Sequence, residues 1–345
     1  MENALKGLRR GPKNLITDIE GLIVGNAEDH GARSGVTVVV ADPAATAAVH
    51  IAGGAPGTRE TGALAPECLV EAADAVVLAG GSVYGLDAAS GVTSWLGARA
   101  RGYEIAGVAT RTPIVPAAIL FDLRNGGDKA WGETPPYRQL GRDAVASAGQ
   151  EFTLGNAGAG LGASAGALKG GLGSASIVAA CGLAVGALVA ANPVGSVVVP
   201  GTRSFWAAPY EIDAEFGGIG WPEDLGEIAK ADPFEASKLS GQETAANTTI
   251  AVVATNADLS KVESQRVAIM AHDGLARAIR PVHTPFDGDS VFCLATGHHR
   301  LGNDRALMLA AIGSLAADTL ARAIARAVYE ATAIGEPSAW QNWSP

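Results

Sequence analysis

Aromatic residues make up only 5% of this 345-residue chain. A core built on bulky rings is therefore excluded, and closely packed layers of small side chains are expected. Cysteine is nearly absent: Cys68, Cys181 and Cys293 lie in apolar contexts without metal-ligand spacing. An odd, sparse count argues against a disulfide framework and for reduced thiols, which implies a cytoplasmic protein. Neither His-x-x-x-His nor Cys-x-x-Cys occurs, and the one adjacent pair, His298-His299, reads as loop. No metal and no cofactor is expected. Basic charge is short as well, since 25 Lys and Arg against 35 Asp and Glu give a net charge of −10. No basic face advertises nucleic acid, and the acidity favours solubility. The most membrane-like stretch, Ile177–Ala191, is small and apolar but shorter than the roughly 20 residues of a spanning helix, so no membrane partner is expected. Two buried elements across a Gly/Pro break, resuming at Ser196–Val199, explain it better. The basic segment Met1 to Lys13 lacks the apolar centre of a secretory signal.

What is present is more specific. Asn247-Thr248-Thr249 stands before a β-branched, strand-like run, Ile250 to Thr255, behind a polar approach from Gly241 to Asn247. If the Asn247–Thr248 bond were cut, Thr248 would carry a nucleophilic oxygen and its own base, the new α-amine, on one residue. Such an amine titrates at roughly pH 7.7–8.0, and Thr with an N-terminal amine is a recognised way to activate a weak nucleophile. Asn-Thr-Thr before a strand also closes turns in inert proteins. Thr249 is the fallback nucleophile if the register is off by one.

A second cluster is His283-Thr284-Pro285-Phe286-Asp287-Gly288-Asp289-Ser290. Two carboxylates flanking one glycine can share a proton or hold an ammonium, because close like charges raise one pKa and a cation lowers it again. An Asp-Gly turn entering a strand needs no such chemistry. A third stretch, Gly155 to Gly171, is rich in glycine. It does not fit a dinucleotide loop, having no strong strand before it and no acid about 20 residues later. It fails the phosphate-loop pattern because Lys169 is followed by Gly170. Glycine used for close backbone packing remains, with one lysine delivered into a crowded place.

Val36–Ala41 and Ala75–Ala79 read as strands, Asp87–Arg101 and Lys261–Ile279 as helices. Asn303 is placed to cap a long final helix over Asp304–Thr332. Thr202–Pro233, with Trp206 and Trp221, reads as a loop ahead of the junction. No linker separates these elements, so residues 1–345 read as one layered α/β unit.

These segments together resemble the self-cleaving L-aminopeptidase/D-esterases, the DmpA-like family that includes β-aminopeptidases and nylon-oligomer endohydrolases. The landmarks run in order: Asn14-Leu15-Ile16-Thr17-Asp18, Gly53-Gly54-Ala55-Pro56-Gly57-Thr58-Arg59-Glu60-Thr61, Gly80-Gly81-Ser82-Val83-Tyr84-Gly85-Leu86-Asp87-Ala88, Gly158 to Gly171, Ala191-Asn192-Pro193-Val194-Gly195, and the two clusters above. The resemblance implies a four-layer αββα sandwich of the N-terminal-nucleophile type. It implies autocleavage into chains 1–247 and 248–345 that stay associated and assemble as homo-oligomers, tetramers among them. It implies Thr248 as nucleophile, Asp287 and Asp289 orienting it and its amine, and Asn192 with Lys169 facing the oxyanion. Thr with Asp-Gly-Asp is similar to the nylon-oligomer branch. One position departs from the pattern: Phe121 stands where relatives place a tyrosine near the substrate.

The expected activity is hydrolysis of amides in short peptides or amide oligomers. Two other classes stay open from the residues: acyl transfer like that of ornithine acetyltransferases, which have a similar fold and also mature at a Thr, and a non-catalytic binding protein on the same fold. Exo- or endo-cleavage, and α-peptide, β-peptide or aminohexanoate substrates, are not separable from the sequence.

Overall fold

The computed structural model describes residues 6–223, 232, 234–240 and 247–344. The approach from Gly241 to Ala246 and part of the Thr202–Pro233 loop lie outside the described residues.

The strands are β1 (Leu22–Asp29), β2 (Ser34–Ile51), β3 (Thr58–Arg59), β4 (Ala72–Ala79), β5 (Ala117–Ile119), β6 (Ser164–Ala165), β7 (Leu168–Lys169), β8 (Gly171–Val178), β9 (Ala184–Ala191), β10 (Ile250–Ala257) and β11 (Ser290–His299). The helices are α1 (Ala88–Gly97), α2 (Tyr137–Ala146), α3 (Lys261–Ala278) and α4 (Arg305–Tyr329). Hydrogen bonds run through a continuous path β3-β5-β4-β2-β11-β10-β9-β8, with β1 joined to β2. The hinge of this path is β2. Its first half pairs with β1 and β4, its second half pairs with β11, and its register against β4 shifts between Val40 and Ala45.

Alternation along the strands divides the interior into three apolar layers. On β2 and β4, Val38, Val40, Val77 and Ala79 face α1 and α2 with Leu96, Tyr137 and Val145. Their neighbours Val39, Ala41, Val76 and Leu78 face inward, meeting Leu188, Ile250, Val252, Phe292 and Leu294 from β9, β10 and β11. The other faces of those strands, with Val189, Val253 and Val291, pack under Leu275 of α3 and Leu320 and Ile324 of α4. A period of two with both faces apolar is what a strand shows between two layers. Helix, sheet, sheet, helix: the expected four-layer α/β sandwich is observed.

Small side chains make the layers close. A Cβ on Gly173 would collide with the backbone of Ala323 and Ala327, so α4 lies directly on β8. By length and apolarity α4 is also long enough to cross a membrane, and its buried residues fill the layer over β8 to β11. Its anchor is polar: Arg322, 1% exposed, meets Glu215 at 2.5 and 2.9 Å, and Asn14 holds the same carboxylate.

Some local expectations need correcting. The residue before α4 is Asp304, with no side-chain cap, so Asn303 does not cap it. Ser196–Val199 is buried as expected, but it meets Arg280 and Phe205 through isolated bridges. The apolar run from Ile177 instead folds back between β8 and β9, at residues 179–183. Cys68 and Cys293 are free, and burial pushes the Cys293 thiol up to about 12.

Candidate active site

Strand order places the two sequence clusters together. β10 and β11 run parallel, joined by α3, with Ile250 opposite Ser290. Their leading residues therefore lie side by side, and an Asn247–Asp287 bridge extends the pairing upstream. β9 runs antiparallel to β10 with Ala190 opposite Ile250, which sets Asn192 against Thr248. The Thr248 N–H donates to the Asn192 carbonyl at 3.1 Å. The Gly53–Pro56 loop after β2 wraps the acid turn, the Ala55 N–H donating to the Asp287 carbonyl at 2.8 Å. A side chain at Gly53 would strike the backbone of Asp287 and Asp289, so glycine is required there by close approach.

Thr248 is 3% exposed, and its hydroxyl donates to the carbonyl oxygen of Asn247, the residue before it. That same oxygen accepts the Gly288 N–H at 3.0 Å. Gly288 presses on the hydroxyl itself, since a Cβ there would stand 2.8 Å from Thr248 Oγ1. The peptide carbonyl at the junction is thus held between a hydroxyl and a backbone donor.

The carboxylates on either side of Gly288 are each 1% exposed and fully partnered. Asp289 accepts the Thr249 N–H at 2.8 Å on one oxygen and the His283 N–H (3.2 Å) and Nδ1 (2.8 Å) on the other. Because a carboxylate only accepts, His283 Nδ1 carries the proton. Asp287 accepts Val194 N–H at 3.0 Å, Thr284 N–H at 3.1 Å and Thr284 Oγ1 at 2.6 Å. Burial, and then the charge of Asp289, raise the Asp287 pKa. No bond runs from either carboxylate to Thr248 Oγ1; the acids fix the main chain around it.

Two lysines enter from the other side. Lys169, 5% exposed, spends its three donors on the carbonyls of Gly160 (3.1 Å), Ala163 (2.9 Å) and Gly170 (2.7 Å). Burial lowers it to about 7, opposed by the charge of Asp122. Lys238, half-buried, was not singled out from the sequence. Its Nζ donates to Asn247 Oδ1 at 2.6 Å and Asn192 Oδ1 at 3.0 Å, with the Asn192 carbonyl at 3.4 Å. Burial lowers it to about 7 also, Asp287 opposing and Lys169 assisting. Asn192 is held further by Ser164 N–H on Oδ1 (3.0 Å), while its Nδ2 donates to the Phe121 carbonyl at 3.0 Å. Phe121 thus reaches Asn192 through its backbone. A cavity of about 180 Å³ beside Asn247 is lined by Phe121, Arg124, Ser164, Lys169 and Lys238 among others.

The sequence-derived residues Thr248, Asn247, Asp287, Asp289 and Asn192 therefore lie in one hydrogen-bonded group, with Phe121 behind Asn192. Lys169 shares the cavity, but its donors are taken. The Gly288 N–H, His283 and Lys238 complete the group. Only the first two carried a local signal, being inside the acid cluster. Among the described residues, no group of three or more His, Cys, Asp or Glu side chains is placed to hold a metal ion.

A layered αββα fold puts a hydroxyl at the lead of an inner strand. This chain belongs to peptidase family S58, which matches residues 14–339. It is 42% identical to an uncharacterised aminopeptidase of Mycobacterium tuberculosis, over 96% of this chain and 98% of that one. It is 30% identical to a 6-aminohexanoate-oligomer endohydrolase of a Kocuria species, over 83% of this chain and 76% of that one. Its fold is similar to that of the L-aminopeptidase D-Ala-esterase/amidase of Ochrobactrum anthropi, described as a variant of the Ntn hydrolase fold, with a TM-score of 0.67, 20% identity, and 95% and 89% of the two chains covered. The resemblance drawn from the landmarks is borne out. Peptidase membership favours amide hydrolysis over acyl transfer or a non-catalytic role.

Proposed function

We propose that the chain cuts itself between Asn247 and Thr248 and then works as an N-terminal-threonine hydrolase on amides of short peptides or amide oligomers. The reading rests above all on the Thr248 hydroxyl directed at the Asn247 carbonyl, whose oxygen also receives the Gly288 N–H. Attack of Oγ1 on that carbon forms an ester as the C–N bond breaks, and the nitrogen takes up the hydroxyl's proton. Gly288 N–H stabilises the oxyanion between, a role worth about 2.7–4 kcal/mol for one such donor. Water then hydrolyses the ester, leaving the Asn247 carboxylate, the free Thr248 hydroxyl and an α-amine. Asn192 O, the acceptor of Thr248 N–H in the uncut chain, orients that amine. Asp289 and Asp287 act by fixing Thr249 and the loops around the nucleophile, not by touching its oxygen.

In turnover the amine takes the Thr248 proton as the hydroxyl attacks the substrate amide, then delivers it to the leaving nitrogen. The names of its relatives, aminopeptidase and 6-aminohexanoate-oligomer endohydrolase, set the panel to try: aminoacyl anilides and 6-aminohexanoate oligomers. The test pairs that panel with Thr248→Ala. Wild type hydrolyses at least one amide, and the folded variant hydrolyses none. A folded Thr248→Ala protein with wild-type turnover would overturn the reading.

A further inference from the structure

Self-cleavage makes the chain its own first substrate, so whatever holds Asn247 describes what the site takes on the acyl side of the bond attacked. Asn247 lines the 180 Å³ cavity, and its side-chain oxygen is the acceptor of the 2.6 Å bond from Lys238 Nζ. The same ammonium holds Asn192 Oδ1, which ties recognition of residue 247 to the asparagine whose backbone receives Thr248 N–H. Later substrates must put their acyl group where Asn247 stood, because Thr248 attacks from the same place. The cavity they enter also carries Arg33, Arg124 and Lys169 against Asp122 and Glu336. Its surplus is cationic, and it favours oxygen acceptors over an ammonium.

We propose that Lys238 is a specificity-determining residue that reads the acyl side of the scissile bond. In the precursor it holds the side-chain carbonyl of Asn247. In the cut enzyme it selects acyl groups that carry a carbonyl or carboxylate oxygen at the same distance from the reacting carbon. The inference rests on self-cleavage at Asn247–Thr248, and it adds a reason for asparagine at 247. A leucine of similar size would fill the space and leave the ammonium without its shortest partner.

The test follows precursor loss by intact mass in wild type, Lys238→Met, Asn247→Leu and the double variant, each first shown to be folded by circular dichroism. Each single variant is expected to cleave roughly 10- to 100-fold more slowly, the scale of one charge-assisted hydrogen bond. The double variant should be no slower than the slower single one, because both remove one shared contact. Asparaginyl and leucyl anilides then test the second half: wild type prefers the asparaginyl substrate about tenfold or more, and cleaved Lys238→Met does not. Wild-type protein that never cleaves would defeat the underlying reading. Wild type that cleaves, with Asn247→Leu or folded Lys238→Met cleaving just as fast, would overturn this inference alone. An equal rate on the two anilides in wild type would overturn its substrate half. If Lys238→Met does not fold, Asn247→Leu and the wild-type anilide ratio decide.

Discussion

The segment carrying Lys169 and the segment carrying Lys238 bring two ammonium groups to one cavity, and burial lowers both to about 7. Their partners differ in kind. Lys169 is fastened to three backbone carbonyls of the glycine-rich stretch, groups that stay in place whatever happens to the chain at 247. Lys238 is fastened to two asparagine side chains, one of which belongs to the bond proposed to break. A cation whose donors all go to backbone braces a loop and contributes only its field. A cation held by side chains of the site can trade a partner for a substrate. The same downward shift to about 7 therefore conceals two roles, and hydrogen-bond partners separate them.

Removing Lys169 is the strongest way to break this comparison. Lys169→Met keeps most of the apolar stem and removes three hydrogen bonds, the Gly160 and Ala163 carbonyls keeping one backbone donor each at 3.2 and 3.0 Å, so the total loss should be about 2 kcal/mol or more. Thermal denaturation should show a Tm loss far larger than for Lys238→Met, with the rate per folded molecule little changed. A preserved Tm with a collapsed rate would exchange the two roles. Asn192→Ala comes next. It removes the acceptor shared by Ser164 and Lys238 and the donor to Phe121, and roughly a 10- to 100-fold fall in both self-cleavage and kcat is expected. Normal kcat per folded molecule would take Asn192 out of the site.

On the acid side, Asp289→Asn should lower kcat more than Asp287→Asn, with KM little affected in either. Asp289 faces Thr249, next to Thr248, whereas Asp287 is raised in pKa and faces Val194 and Thr284. Steady-state kinetics on cleaved enzyme decide the order, and equal wild-type rates would mean that both carboxylates merely shape the loop.

The smallest effect is a pH slope. A lysine lowered to about 7 in the fold binds fewer protons folded than unfolded between there and lysine's usual value of roughly 10.4. Its contribution to stability therefore rises with pH across that window and is flat below it. The Tm gap between wild type and Lys169→Met should widen in favour of wild type from pH 7 to pH 9. A constant gap would place the Lys169 titration elsewhere.

What was legible in the sequence follows from range. Thr248 beside a β-branched run, and two carboxylates around Gly288, are local patterns, and both clusters meet because their strands are parallel neighbours. Helices α3 and α4 showed through their spacing, to within a few residues. The mix of strands and helices showed a layered α/β unit, but strands apolar on both faces do not give the order of the layers; the family landmarks supplied the four-layer arrangement. Lys238 was invisible because nothing around it is unusual: its importance arises when β9 pairs with β10 and carries Asn192 across to Thr248. Lys169 stood out for the opposite reason, a lone charge among glycines, although its donors end on backbone. Ser196–Val199 showed as a buried element because three valines in a row fix burial, though not a pairing partner.

The most direct measurement is the intact mass of freshly purified wild-type protein under denaturing conditions. The account predicts two species whose masses sum to the full chain plus one water, the smaller beginning at Thr248, and a single uncut species for Thr248→Ala. One unbroken chain in a folded preparation that hydrolyses amides, or a small chain beginning at Thr249, would contradict it.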